Sequence, residues 1–188
     1  AVTEPAEDVP SPADATPVKL TDAESGLTAR PGLVLEEFVY MEADFPSCHA
    51  PTLLELENGE LLCAFFGGTK ESNPDVEIRM CRKAPGSKWT APVSIADGMQ
   101  ADGERCSTGN PVLFQPEGGD VMLFYKVFRP HELWWGEMKT SPDGGRTWNK
   151  EQRMPEGLLG PEKNKPIQFA DGTILSPSAL NRRSGEGG

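Results

Sequence analysis

The sequence lacks the features that announce several large protein classes. No apolar run approaches the roughly 18 residues that a membrane-spanning helix needs, and no window sustains an apolar period of 3.6 residues. Lys and Arg total 18 against 29 Asp and Glu, a net charge of -11, and they are nowhere clustered. A nucleic-acid partner needs a basic footprint for its phosphates, so that class is excluded. The four cysteines, Cys48, Cys63, Cys81 and Cys106, show no C-x-x-C spacing, and no phosphate-binding glycine loop or nucleophile elbow is present. Neither a metal nor a cofactor is expected. The chain also opens without a basic and then apolar leader.

What is plentiful is punctuation: 20 glycines and 18 prolines in 188 residues. That density favours many short elements joined by turns, and hence an all-β fold. Residues 1–35, rich in Pro, Ala and acids, read as a flexible solvated lead-in, and 181–188 as a linker-like or truncated tail. The folded part is then 36–180. Cys63 lies in an apolar run and reads as an inert core thiol. Cys48 and Cys106 each lie just ahead of a strand, so a disulfide between them is conceivable in an oxidising compartment.

Between these ends a hairpin recurs at a period near 55–60 residues. Its copies start at Pro51, Pro111 and Pro166 and turn at Asn58-Gly59, Gly118-Gly119 and Asp171-Gly172. Asn-Gly and Asp-Gly readily take the positive φ of tight hairpin turns. A second strand pair follows the first two copies, over 76–81 with 89–95 and over 134–141 with 147–154. Four strands per repeat is the pattern of a propeller blade.

The run Ser141-Pro142-Asp143-Gly144-Gly145-Arg146-Thr147-Trp148 carries the sharpest motif. Asp143 can accept amide hydrogen bonds within the turn, the glycines supply positive φ, and Trp148 packs beneath. This run matches the Asp-box, S-x-D-x-G-x-T-W, through Ser141, Asp143, Gly145, Thr147 and Trp148, and a degenerate copy ends at Trp89. With Cys48-His49-Ala50, Phe66-Gly67-Gly68-Thr69, Asn110-Pro111 and Trp134-Trp135-Gly136, the chain resembles the sialidase superfamily of BNR/Asp-box propellers. The resemblance implies a partial β-propeller, two to three four-stranded blades of an expected six or seven. It implies a secreted or extracellular, carbohydrate-active protein with a glycan or glycoconjugate substrate. Members with exo-sialidase activity hold the substrate carboxylate with three arginines and use an aspartate as acid/base. Here His49-Ala50-Pro51 stands where the first arginine motif belongs, and Gly67-Gly68-Thr69 where the aspartate motif belongs, so the chain resembles a sialidase-like member lacking both.

Under that resemblance His49 is the catalytic candidate, because imidazole suits proton transfer near neutral pH and some sialidase-like propellers use a central histidine. A hydrogen-bonded structural histidine is the plain alternative. Arg105 precedes Asn110-Pro111 and Lys165 precedes Pro166 as His49 precedes Pro51, so superposed repeats bring all three to one cavity. There the two cations are candidates to hold an anionic sugar group, against a reading as solvated loop charges. Asn110 and Asn164 lie beside the strand starts, and Asp75 serves as a carboxylate or as a loop cap. Trp134 and Trp135 are sugar-stacking or core residues, and an alternating strand sends one ring to each side. Their loop also holds Arg129 and His131. Three functions follow: an enzyme removing a terminal, acidic sugar by hydrolysis or elimination; a catalytically silent glycan-binding module; or a truncated fragment whose open sheet faces self-associate.

Overall fold

The computed structural model describes residues 18–19, 36–129 and 134–180, and these contain strands and turns without a helix. β1 (Val18–Lys19) pairs antiparallel with β2 (Glu42–Ala43). A first four-stranded antiparallel meander follows: β3 (Ser47–Glu55), β4 (Leu61–Gly68), β5 (Glu77–Lys83) and β6 (Val93–Ala96). The second repeats it with β7 (Ser107–Phe114), β8 (Val121–Phe128), β9 (Trp135–Ser141) and β10 (Gln152–Arg153). A two-stranded hairpin, β11 (Ile167–Gln168) with β12 (Ile174–Leu175), begins a third unit. Each meander is one blade, and β6 and β10 are shorter than the sequence pattern suggests.

Local chemistry sets the hairpin turns. Gly59 and Gly172 take φ of 77° and 86°, and the preceding Asn58 and Asp171 side chains accept from the Glu60 and Thr173 amides at 3.0 and 2.9 Å. Proline sets the inner strands. The register shifts between His49 and Thr52 in β3 and between Gly109 and Val112 in β7, where Pro51 and Pro111 have no N–H to give the ladder. The bulge lets each strand run on past its proline. His49 and Asn110 therefore lie within the innermost strands, not ahead of them.

The main core lies between the blades. Leu62 and Ile78 of the first and Leu113, Leu123 and Val127 of the second are fully buried there. Each such side chain stabilises the packing by roughly 1.5–3 kcal/mol relative to exposure. A second cluster, Phe45, Cys63, Phe65 and Cys81, fills the other face of the first blade under Tyr40 and Trp89. All four cysteines are free. The Cys48–Cys106 disulfide is ruled out by placement: Cys106 is buried in the inter-blade core, whereas Cys48 is exposed and accepts a hydrogen bond from the Tyr40 hydroxyl at 2.9 Å.

The Asp-box turn joins the blades from below. Asp143 Oδ1 accepts from Ser141 Oγ and from the Arg146 and Thr147 amides, and Oδ2 accepts from Thr147 Oγ1, all at 2.7–2.9 Å. Arg82 of the first blade donates to Gly144 O at 2.5 Å, and Arg146 reaches back to Glu60 at 3.0 Å. Trp148 packs against the inter-blade core. In the degenerate copy the Trp89 indole donates instead to Glu37, at 3.0 Å.

Candidate functional site

An antiparallel meander sends its strands alternately up and down, so the blade has two ends of different make-up. One end carries the hairpin turns and the Asp-box. The opposite end carries the starts of the first strands, the turns between second and third strands, and the connections between units. By strand direction His49, Asp75, Arg105, Asn110, Trp134 and Trp135 lie at this second end, whereas the Lys165 ammonium reaches Leu53, close to the hairpin end of β3.

His49 is exposed on β3, opposite Phe66, whose ring it meets edge-on with 5.6 Å between centroids. Its imidazole has no hydrogen bond among the described residues. The residue placed like His49 in the second blade is Gly109, since His49 pairs with Phe66 as Gly109 pairs with Lys126. Arg105 is therefore not the counterpart of His49. It lies in the connection before β7, bridged to Met99, and its guanidinium pairs with Glu77 at the start of β5. Glu77 also receives Arg79 at 3.1 Å and is buried. Arg105 thus stands over the third strand of the first blade rather than over the innermost one. Gly98 fixes this connection: with φ of 71°, it leaves no room for a Cβ against Cys106 O.

Lys165 does reach an inner strand. Its ammonium donates to Leu53 O of β3, and partial desolvation lowers its pKa. Asn164 is exposed and donates its backbone N–H to Glu162 O at 2.8 Å. Asn110 takes φ of 47° at the β7 bulge and donates from Nδ2 to Glu162 Oε1 at 3.0 Å. The same carboxylate oxygen receives Lys126 Nζ at 2.5 Å. Lys126 and Glu162 did not emerge from the sequence pattern, because a lysine in a strand reads as a solvated charge.

Asp75 acts as a cap. Its two oxygens accept from the Thr69 amide at 2.7 Å and the Thr69 hydroxyl at 2.8 Å, and Asn73 closes the same loop onto Thr69 at 2.9 Å. Trp135 is buried, donates to Glu137 at 2.9 Å and lies under Arg153. Glu137 also accepts from the Tyr125 hydroxyl at 2.6 Å, and burial with the adjacent carboxylate pushes that phenol well above its ordinary range. This buried Tyr–Glu–Trp set belongs to the inter-blade packing, so Trp135 offers no face to a sugar. Trp134 is half-buried against Phe128, with 5.0 Å between centroids. Arg129 closes on Asp102 and Glu104 at 2.8 and 2.9 Å, and His131 lies outside the described residues. Among the described residues no group of three or more His, Cys, Asp or Glu is placed to hold a metal ion, and no helix is long and apolar enough to cross a membrane.

Successive four-stranded meanders, packed face on face and tied below by an Asp-box, define a propeller of the sialidase type. The described residues supply two blades and the inner hairpin of another. The BNR repeat-like domain family matches residues 59–186, and the chain belongs to that family. Among solved structures it is similar to the Hadza microbial sialidase Hz136, with a TM-score of 0.59 at 17% identity over 69% of this chain and 31% of that one. It is also similar to a protein of unknown function from Dyadobacter fermentans, with a TM-score of 0.53 at 18% identity over 68% of this chain and 45% of that one. These likenesses are of fold, and the chain spans less than half the length of either structure. No curated protein matches the sequence.

Proposed function

We propose that the chain is part of a carbohydrate-active, sialidase-like propeller, spanning residues 36–180, that removes a terminal acidic sugar from a glycan outside the cell. The observation that carries this reading is His49: an exposed imidazole on an innermost strand, at the end where the connecting loops gather. There it acts as general acid toward the leaving oxygen in hydrolysis, or as general base toward a ring proton in elimination. Lys165 positions the anionic group. In support, the contact found for its ammonium is a neutral carbonyl. Trp134 supplies an aromatic edge.

The test is turnover of a panel of sialosides and uronic-acid glycosides by the wild type and by His49→Ala. General acid/base catalysis contributes about 10²–10⁴-fold, so the variant should lose turnover by that factor and retain binding. Turnover unchanged in His49→Ala would remove the histidine from the mechanism. Binding without turnover in the wild type would mark a recognition module instead.

A further inference from the structure

Two donors from different strands converge on one carboxylate oxygen at the inner edge of the second blade. Lys126 Nζ lies 2.5 Å and Asn110 Nδ2 lies 3.0 Å from Glu162 Oε1. The lysine is only 2% exposed; the strands on either side of it place Gly109 and Gly136 beside it, and Leu159 and Met154 close over Gly136. Its counter-ion comes from a connecting loop, and the Glu162 side chain remains 35% exposed. The backbone here is held in an uncommon conformation. Of the four non-glycine residues with positive φ among the described ones, Ala50 and Asn110 lie at the bulges of two successive inner strands and Lys163 on the run into the third. Such clustering of strained residues is found where a site is built. The neighbouring Lys165 contact to Leu53 O shows that this run lies over the inner edge of the first blade as well.

We propose that Lys126 and Asn110 form a receptor for a sugar carboxylate, and that Glu162 fills it in the unliganded protein as an internal stand-in. A buried ion pair by itself adds little stability over apolar residues of the same volume, so the pair is explained better as a recognition device than as a brace. A uronate or sialate ring enters as Glu162 swings outward, and its carboxylate takes over both hydrogen bonds. The inference rests on reading this end of the blades as a glycan site, but it concerns binding, whereas His49 concerns turnover.

Removing the stand-in should tighten binding. An internal competitor that holds the site more than about nine-tenths of the time weakens apparent affinity roughly tenfold. Calorimetric titration with sodium glucuronate, and separately with N-acetylneuraminate, should show at least that gain for Glu162→Gln over the wild type with one or both acids. In Glu162→Ala, which leaves Lys126 unpaired, a saturating acid that responds should raise Tm by about 3 °C or more over sodium chloride at equal ionic strength. The double variant Lys126→Met, Glu162→Ala should show no such rise. Equal or weaker binding of both acids by Glu162→Gln overturns the proposal, as does a rise that persists in the double variant. Should Glu162→Ala fail to fold, the Glu162→Gln titration decides alone. Loss of turnover in His49→Ala bears on neither measurement.

Discussion

Ala50 and Asn110 occupy the same place in successive blades: each turns to positive φ, 53° and 47°, directly before a proline at the bulge of an innermost strand. Asparagine tolerates that region, while alanine is strained there by about 1 kcal/mol. Replacing Ala50 by glycine relieves the strain, and part of the gain is offset by the larger freedom of the unfolded chain. Ala50→Gly should therefore stabilise the protein by about 0.5 kcal/mol, and Ala50→Val should destabilise it by more than about 1 kcal/mol. Chemical denaturation checks both, and a destabilised glycine variant would contradict the bulge geometry.

Glu77 and Arg105 should respond unequally to mutation although they are partners. The carboxylate is buried and serves two guanidiniums, whereas the Arg105 side chain is 38% exposed. Glu77→Leu should cost about 3 kcal/mol because it leaves the buried Arg79 charge with only the long 3.7 Å contact to the exposed Asp44, while Arg105→Ala should cost under about 1 kcal/mol. Comparable losses in the two variants, measured by urea unfolding, would refute this ranking.

The Asp-box should make the fold acid-sensitive. Hydrogen bonds from the Thr147 amide, the Thr147 hydroxyl and Ser141, in that order, hold the Asp143 carboxyl far below its ordinary value. Because the folded form binds its proton more weakly than the unfolded one, the contribution is complete above the unfolded pKa of about 3.9 and is lost as pH falls toward the folded value. Melting temperature should thus drop more steeply below about pH 4 in the wild type than in Asp143→Asn. Parallel curves for the two proteins would assign the acid sensitivity elsewhere.

Thiol labelling should separate the cysteines. Cys48 is exposed, whereas burial pushes Cys63 up to about 11 and Cys81 up to about 12, and Cys106 is raised by burial as well. Native protein treated with iodoacetamide at pH 8 should gain one adduct, at Cys48, and unfolded protein four. Rapid loss of Cys63 or Cys81 in the native state would show that the cluster beneath Tyr40 opens.

The hairpins and the Asp-box were legible in the sequence because their chemistry is local. Asn58-Gly59, Asp171-Gly172 and the run from Ser141 to Trp148 each specify a turn from within a few residues. The equivalence of loops was not. Aligning the copies on Pro51 and Pro111 pairs His49 with Gly109, and Arg105 falls outside the strand altogether. Reading Arg105 as a partner of His49 took nearness to a proline for a place in the register. Lys126 and Glu162 escaped notice for a different reason. Only the strand pairing reveals that glycines flank the lysine, and only the folded chain brings a loop carboxylate back to it.

The two-ended build of the blades has a practical side. Lys150, exposed beside the Asp-box, lies at the end opposite the one that carries His49 and Asn110. A dye, a biotin or a surface linker placed there would leave the opposite mouth unobstructed, so immobilised protein should capture ligand as well as free protein does.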